Sequence, residues 1–313
     1  MAFYIIKRLL SAVVIMWAVT TLVFFAMRLV PADPAEVVLG EYANEQALQA
    51  FRQQAGLDQP LLVQYKEFLT GLIHGDLGRS LITNQSVSEQ IAALFPYTLE
   101  LALASLFVGA ALGIPLGVLT AVKRGTWIDN SGRIFALSGF SFPAFYLGIL
   151  MLLLFSLKLG WLPVVHTFNT GSFTEHIENL ILPAGSLGII QAAYITRLTR
   201  SSMLEQLELD YVRTARAKGL TESTIHYKHV LRNVMIPVIT AIGLYTGSIL
   251  GGAVLTETVF NRPGIGKLLV GAIAQRDYTL IQSGLMVFAF IVVIMNLLVD
   301  LSYSLFDPRV KYE

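Results

Sequence analysis

Six stretches of this chain contain no Asp, Glu, Lys or Arg: Leu9–Met27, Leu101–Val122, Ile134–Leu157, Leu180–Thr196, Met235–Thr256 and Leu280–Val299. They are 17 to 24 residues long. A bilayer core needs ~20 apolar residues per helix, so each stretch spans one or nearly does. Composition points the same way. Of 313 residues 14 % are charged and 55 % hydrophobic, with mean hydropathy +0.64, where an ordinary soluble domain is about 25 % charged. A secreted protein, a nucleic-acid binder and a cytosolic enzyme are excluded. The expected class is an all-α polytopic membrane protein with six transmembrane helices. Cysteine is absent, which removes disulfides, thiolate chemistry and Cys-based metal sites.

The cations give an orientation. Lys7 and Arg8 precede the first run and stay on the cytoplasmic side under the positive-inside rule. A 19-residue run without a following A-x-A site reads as an anchor, not a cleaved signal. Six spans then return the C-terminus to the cytoplasm. On that count 14 Lys/Arg lie inside and 8 outside, so N-in/C-in is expected.

Residues 1–30 form the first helix, 31–96 an outer loop domain, 97–304 a core of five helices, and 305–313 a cytoplasmic tail. The outer loop carries eight acids against three bases. Asp33-Pro34 reads as a turn pair, Asn44 as the cap of a helix to Gly56, and Pro60–Ile73 as a second helix with Tyr65, Phe68, Leu69 and Leu72 at helical spacing. Two spans carry a glycine every fourth residue: Gly109, Gly113 and Gly117, then Gly243, Gly247 and Gly251. Small residues at that spacing let helix backbones approach closely in lipid, either within the chain or against a partner subunit.

Residues 197–236 are the longest cytoplasmic loop. Glu205 to Lys218 is predicted to be a helix, with acids first (Glu205, Glu208, Asp210) and bases last (Arg213, Arg216, Lys218) along the helix dipole. Leu204, Leu207, Tyr211 and Ala215 form a narrow apolar stripe, and Gly219 stands where a residue of positive φ closes a helix. Thr221-Glu222 starts a second helix to Asn233, and Pro237 opens the fifth span. The thin stripe and small residues suit a protein dock better than a lipid surface.

Asp210-Tyr211-Val212-Arg213-Thr214-Ala215-Arg216-Ala217-Lys218-Gly219-Leu220, followed by His229-Val230-Leu231-Arg232-Asn233 and Pro237, resembles the EAA loop of the membrane subunits of bacterial binding-protein-dependent ABC importers, in the form of the peptide/nickel branch. Ala215, Gly219 and Leu231 fit the general pattern; Arg213, Thr214 and Arg232 replace its Glu, first Ala and Pro. Pro31-Ala32-Asp33-Pro34, Gly56–Pro60, His74–Gly78, Leu255–Phe260, Pro263–Gly266, Arg276–Tyr278 and Asn296–Asp300 extend the resemblance over nearly the whole chain. Arg262 stands where an aromatic is usual. The resemblance implies a type I importer permease fold with a small outer cap. It also implies a second homologous permease, two cytoplasmic ATPases that bind ATP and Mg, and an extracytoplasmic binding protein delivering a dipeptide, oligopeptide or related solute. Tyr211, Arg213, Thr214, Ala215, Arg216, Ala217 and Gly219 would couple to the ATPases.

Other chemistry finds little footing. Gly264-Ile265-Gly266-Lys267 fails the P-loop pattern at Asn261 and Leu268, and no hydrolase motif occurs, so no enzyme, cofactor or metal is expected in this chain. Glu175-His176-x-Glu178 with His166 reads as a solvated turn. A standalone secondary transporter or channel is the alternative, but such carriers keep ionisable groups near the midplane, and these spans carry none there. Asn296 and Asp300 share one face of the last span. Asp300 reads either as a hydrated carboxylate at the headgroup level or as the partner of a cation near the helix end, with Arg200 the first choice and Arg197, Lys123 and Arg124 at comparable depth.

Overall fold

The computed structural model describes residues 2–29, 33–40, 43–164 and 172–306. Pro31, Ala32, His166 and the tail beyond 306 lie outside the described residues, as do the side chains of 2–5, Phe140, Leu244, Thr246 and everything from 298 on, Asp300 included. The described chain is helical, with no strand among its described residues. The elements are α1 (Ala2–Leu29), α2 (Pro34–Leu39), α3 (Glu45–Gln54), α4 (Leu61–Ile73), α5 (Val87–Val122), α6 (Trp127–Ser141), α7 (Ala144–Met151), α8 (Phe173–Leu207), α9 (Asp210–Ala217), α10 (Glu222–Thr224), α11 (Leu231–Val259), α12 (Ile265–Gln275) and α13 (Tyr278–Phe306). Wide π-type turns, Leu152–Lys158 and Ile225–Val230, extend α7 and join α10 to α11.

Among the described residues four helices are long and apolar enough to cross a membrane: α1, α5, α8 and α13. Two more spans follow if each bent pair counts as one: α6 with α7, bent by 108°, and the 222–259 helix, bent by 50° between Gly243 and Gly247. α5 and α8 have 36 and 35 residues. At about 1.5 Å per residue each outruns the ~30 Å hydrocarbon core and projects from it.

The chain divides into two compact units. One combines residues 6–97 with 263–294. Its core is Val87, Ile91, Ile265, Leu269, Ala272, Leu280 and Ile281. Asn44 caps α3 by accepting from the Ala47 N–H, as the sequence predicts, while α4 begins at Leu61, one residue after the Pro60 expected to open it. Asp33-Pro34 is more than a turn. The Asp33 carboxylate accepts from the Ala35 N–H and caps α2, with Pro34 in the first position, where its missing N–H costs nothing. Arg52 of α3 grips that same carboxylate at 2.5 and 2.8 Å, and this hydrogen bonding is the main reason its guanidinium is held above its ordinary pKa. Phe24, Phe25, Tyr65 and Phe68 interlock α1 with α4. Buried Asp277 caps α13 at the Leu280 N–H and accepts from Ser80 Oγ at 2.5 Å and the Leu81 N–H at 3.2 Å.

The other unit holds residues 98–262 and the end of α13 from Met295. Here α8 is the hub. A Cβ at Gly109 would fall 2.8 Å from Gln191 Cγ, at Gly113 2.7 Å from Ile195 Cβ, and at Gly117 2.5 Å from Thr199 Cβ. All three glycines therefore serve packing of α5 on α8 within the chain. Gly139 of α6 meets Ala193 in the same way. Gly251 differs: its Cβ position is empty to 4 Å.

Candidate coupling loop

Three features build α9 from its sequence. The helix does not begin at Glu205. α8 carries on to Leu207, because Met203 is buried and Leu204 and Leu207 stay packed on the core. A break at Glu208-Leu209 follows, and α9 starts at Asp210. The acids-first pattern straddles two helices. Val212 and Ala215 turn inward onto Met203, Ile225, Val230 and Val234. At the far end Gly219 has φ +76°. The Gly219 N–H donates to Arg216 O at 2.9 Å and the Leu220 N–H to Ala215 O at 3.3 Å, a Schellman closure. Thr221 then caps the next helix at the Thr224 N–H.

Side chains brace this frame. Arg216 lays its fork on Glu222, Nε to Oε1 at 2.7 Å and Nη2 to Oε2 at 3.2 Å, which raises the Arg216 pKa. Tyr211 Oη donates to Gln206 Oε1 at 2.9 Å, spanning the break. The seven residues expected to couple therefore separate. Arg213, Thr214, Arg216, Ala217 and Gly219 are exposed on the outward face; Tyr211 is half-buried; Ala215 is buried and supports the helix from beneath. Val212 and Gln206 are supports that the stripe of Leu204, Leu207, Tyr211 and Ala215 did not include. The second helix does not stop at Asn233, and no helix begins at Pro237. The chain runs from α10 through the π-type turn into α11, with Pro237 inside it.

Behind the loop lies a buried ion pair. Asp129 of α6 takes Arg200 of α8 in two bonds, Nε to Oδ1 at 2.6 Å and Nη2 to Oδ2 at 2.9 Å, and also accepts from the Gly125 N–H at 3.0 Å. Arg200 thus has Asp129 as its carboxylate, where the sequence suggested Asp300, whose side chain lies outside the described residues. The visible clue was an acid five residues after Lys123-Arg124. At the other end of α8, Glu100 holds His176 and buried Arg262, each at 2.5 Å, and Glu257 accepts from Thr98 at 2.6 Å. His176 and its flanking acids are in the first turns of α8 and not in a solvated turn. No group of three potential metal ligands forms among the described residues. The buried charges Asp129 and Glu257 sit within three residues of a helix end.

Residues 113–312 match the family of binding-protein-dependent transport system inner membrane components, and residues 1–102 match the N-terminal component of the same systems. The chain belongs to this family. The permease is 41 % identical to the di/tripeptide transport system permease protein DppB of Pseudomonas aeruginosa, over 99 % of each chain. It is 42 % identical to the dipeptide permease DppB of Alkalihalophilus pseudofirmus and to the glutathione permease GsiC of Salmonella typhimurium, again over 99 % of each. Among solved structures it superposes on inward-facing conformations of the MetNI methionine ABC transporter, with TM-score 0.56 and 19 % identity over 70 % of this permease and 96 % of that chain. The permease therefore has the type I importer fold and is a multi-pass inner-membrane subunit of a binding-protein-dependent ABC importer.

Proposed function

We propose that this permease forms half of a translocation pore, with a second homologous permease as the other half, and imports di- or oligopeptides or a related small solute such as glutathione. Two cytoplasmic ATPases dock on α9, bind ATP and Mg, and drive alternating access; a binding protein delivers cargo on the opposite side. The chain itself contributes no catalytic group, cofactor or metal. The observation that carries the reading is the build of α9. Arg213, Thr214, Arg216 and Ala217 face outward, while Val212 and Ala215 root the helix in the bundle, so a force on α9 passes into α8 and α11. The cargo class follows the names of the relatives at 41–42 % identity. Purification through a tag on this chain is expected to recover a second permease and ATPase subunits. In proteoliposomes, uptake of a labelled dipeptide should require ATP on the α9 side and the binding protein on the other. Uptake driven by an ion gradient without an ATPase would establish a standalone carrier instead.

A further inference from the structure

A cavity of about 750 Å³ lies within the unit formed by residues 6–97 and 263–294. The end of α1, residues of α3 and α4, the turn after Asp76 and the first two turns of α13 line it. Its charges balance: Arg28, Arg52 and Arg79 against Asp33, Glu67 and Asp76. Most are engaged locally. Arg52 holds Asp33, Arg79 Nε donates to Asn84 O at 3.0 Å, and Asp76 Oδ1 accepts from the Gly78 N–H at 2.8 Å.

Arg28 is different. It is half-buried, and its guanidinium carbon lies 3.8 Å from the centroid of the Phe24 ring. Its side-chain hydrogen bonds go to the amide oxygens of Gln282 and Gln64, both neutral. Among the described residues no carboxylate pairs with it. A guanidinium has five N–H donors, so these two bonds orient the fork and leave its other donors for whatever fills the cavity. A half-buried cation without a counter-charge is costly, and Arg forks fit phosphate oxygens. The rest of α1 supplies the second clue. Outside the cavity lining, Leu22 is 68 % and Leu29 83 % exposed, apolar surface on the end of the span that carries Arg28, where lipid headgroups lie.

We propose that this cavity binds a phospholipid headgroup, with Arg28 on the phosphate. The balanced lining suits a zwitterion, in which Glu67 and Asp76 offer carboxylates to an ammonium; phosphatidylethanolamine has that chemistry. A short peptide carries a similar pair of charges, and the test separates the two.

The intact transporter is purified in detergent and titrated with phosphatidylethanolamine and, separately, with diacylglycerol of the same acyl chains, with bound lipid counted by native mass spectrometry. The headgroup should be preferred by about tenfold or more, the scale of one charged hydrogen bond. Arg28→Leu should remove that preference, Arg28→Lys should keep most of it, and Lys7→Leu at the other end of α1 should leave it intact. The comparison of two lipids on the unsubstituted protein stands even if Arg28→Leu folds poorly. Equal retention of both lipids, or an unchanged preference in Arg28→Leu, overturns the site. Displacement of the lipid by a zwitterionic dipeptide, with dipeptide binding lost in Arg28→Leu, overturns the lipid assignment.

Discussion

Gly219 combines a positive φ of +76° with empty space around the position of a Cβ. Only backbone strain therefore opposes substitution. Gly219→Val is expected to cost about 1–2 kcal/mol and to lower transport several-fold while ATPase activity persists, because the Schellman closure sets the angle between α9 and the next helix. Gly219→Asn, which tolerates the left-handed region, should retain most uptake. Equal transport by the two variants would show that the closure does not matter. Asp129 and Arg200 yield a second expectation. Breaking a buried pair costs about 3–5 kcal/mol, and Asp129→Asn should fall near the lower end, since 21 % of the Arg200 side chain meets solvent. A lowered melting temperature is expected, with partial recovery in Asp129→Arg/Arg200→Asp; full stability of the single variant would contradict the pair. The sequence offered Gly219 directly, because a local helix-ending rule governs it. It did not offer Asp129–Arg200, because 71 residues separate partners that only the packing of α6 on α8 brings together.

At the scale of elements, the apolar runs were legible because lipid imposes one rule on every span, and the caps at Asn44 and Thr221 were legible because capping is local. The break at Glu208-Leu209, the two π-type turns and the helical path through Pro237 were not. Each is set by what the neighbouring residues pack against, as Leu204 and Leu207 show by keeping α8 helical past the first acids. The two glycine stripes look alike in sequence, yet Gly251 of the second has open space where all three glycines of the first meet α8. Gly113→Ala places a methyl 2.7 Å from Ile195 Cβ and 2.8 Å from Ala192 O. The helix backbones must separate, and a loss of about 1–3 kcal/mol should appear as reduced membrane yield and melting temperature. At Gly251 a Cβ meets nothing within 4 Å among the described residues, so Gly251→Leu probes what lies beyond it. If the second stripe faces another subunit, that variant should insert normally and recover less of the second permease on purification. Normal recovery would mean that Gly251 faces no partner.

At the scale of the whole molecule, one bend decides how six apolar runs become crossings. α6 and α7 meet at 108° around Phe142-Pro143, a bend that suits either a broken span or a re-entrant pair. The two differ in consequence. If α6 and α7 together cross, α9 follows four crossings and returns to the side of Lys7 and Arg8. The seven Lys/Arg of 197–234 then lie with the other cations, as the positive-inside rule asks. If the pair dips and returns, α9 follows three crossings, and that basic loop lands opposite the N-terminus, against the rule. A reporter active only in the cytoplasm separates them. It should work after Arg124 and Gly219 and fail after Gly56 and Gly160. A re-entrant pair would reverse two of these results, giving activity after Gly160 and none after Gly219. An ATPase dock on α9 needs the first outcome, since ATP is on the cytoplasmic side. The fusion after Gly160 therefore tests the bent span and the coupling role of α9 in one measurement.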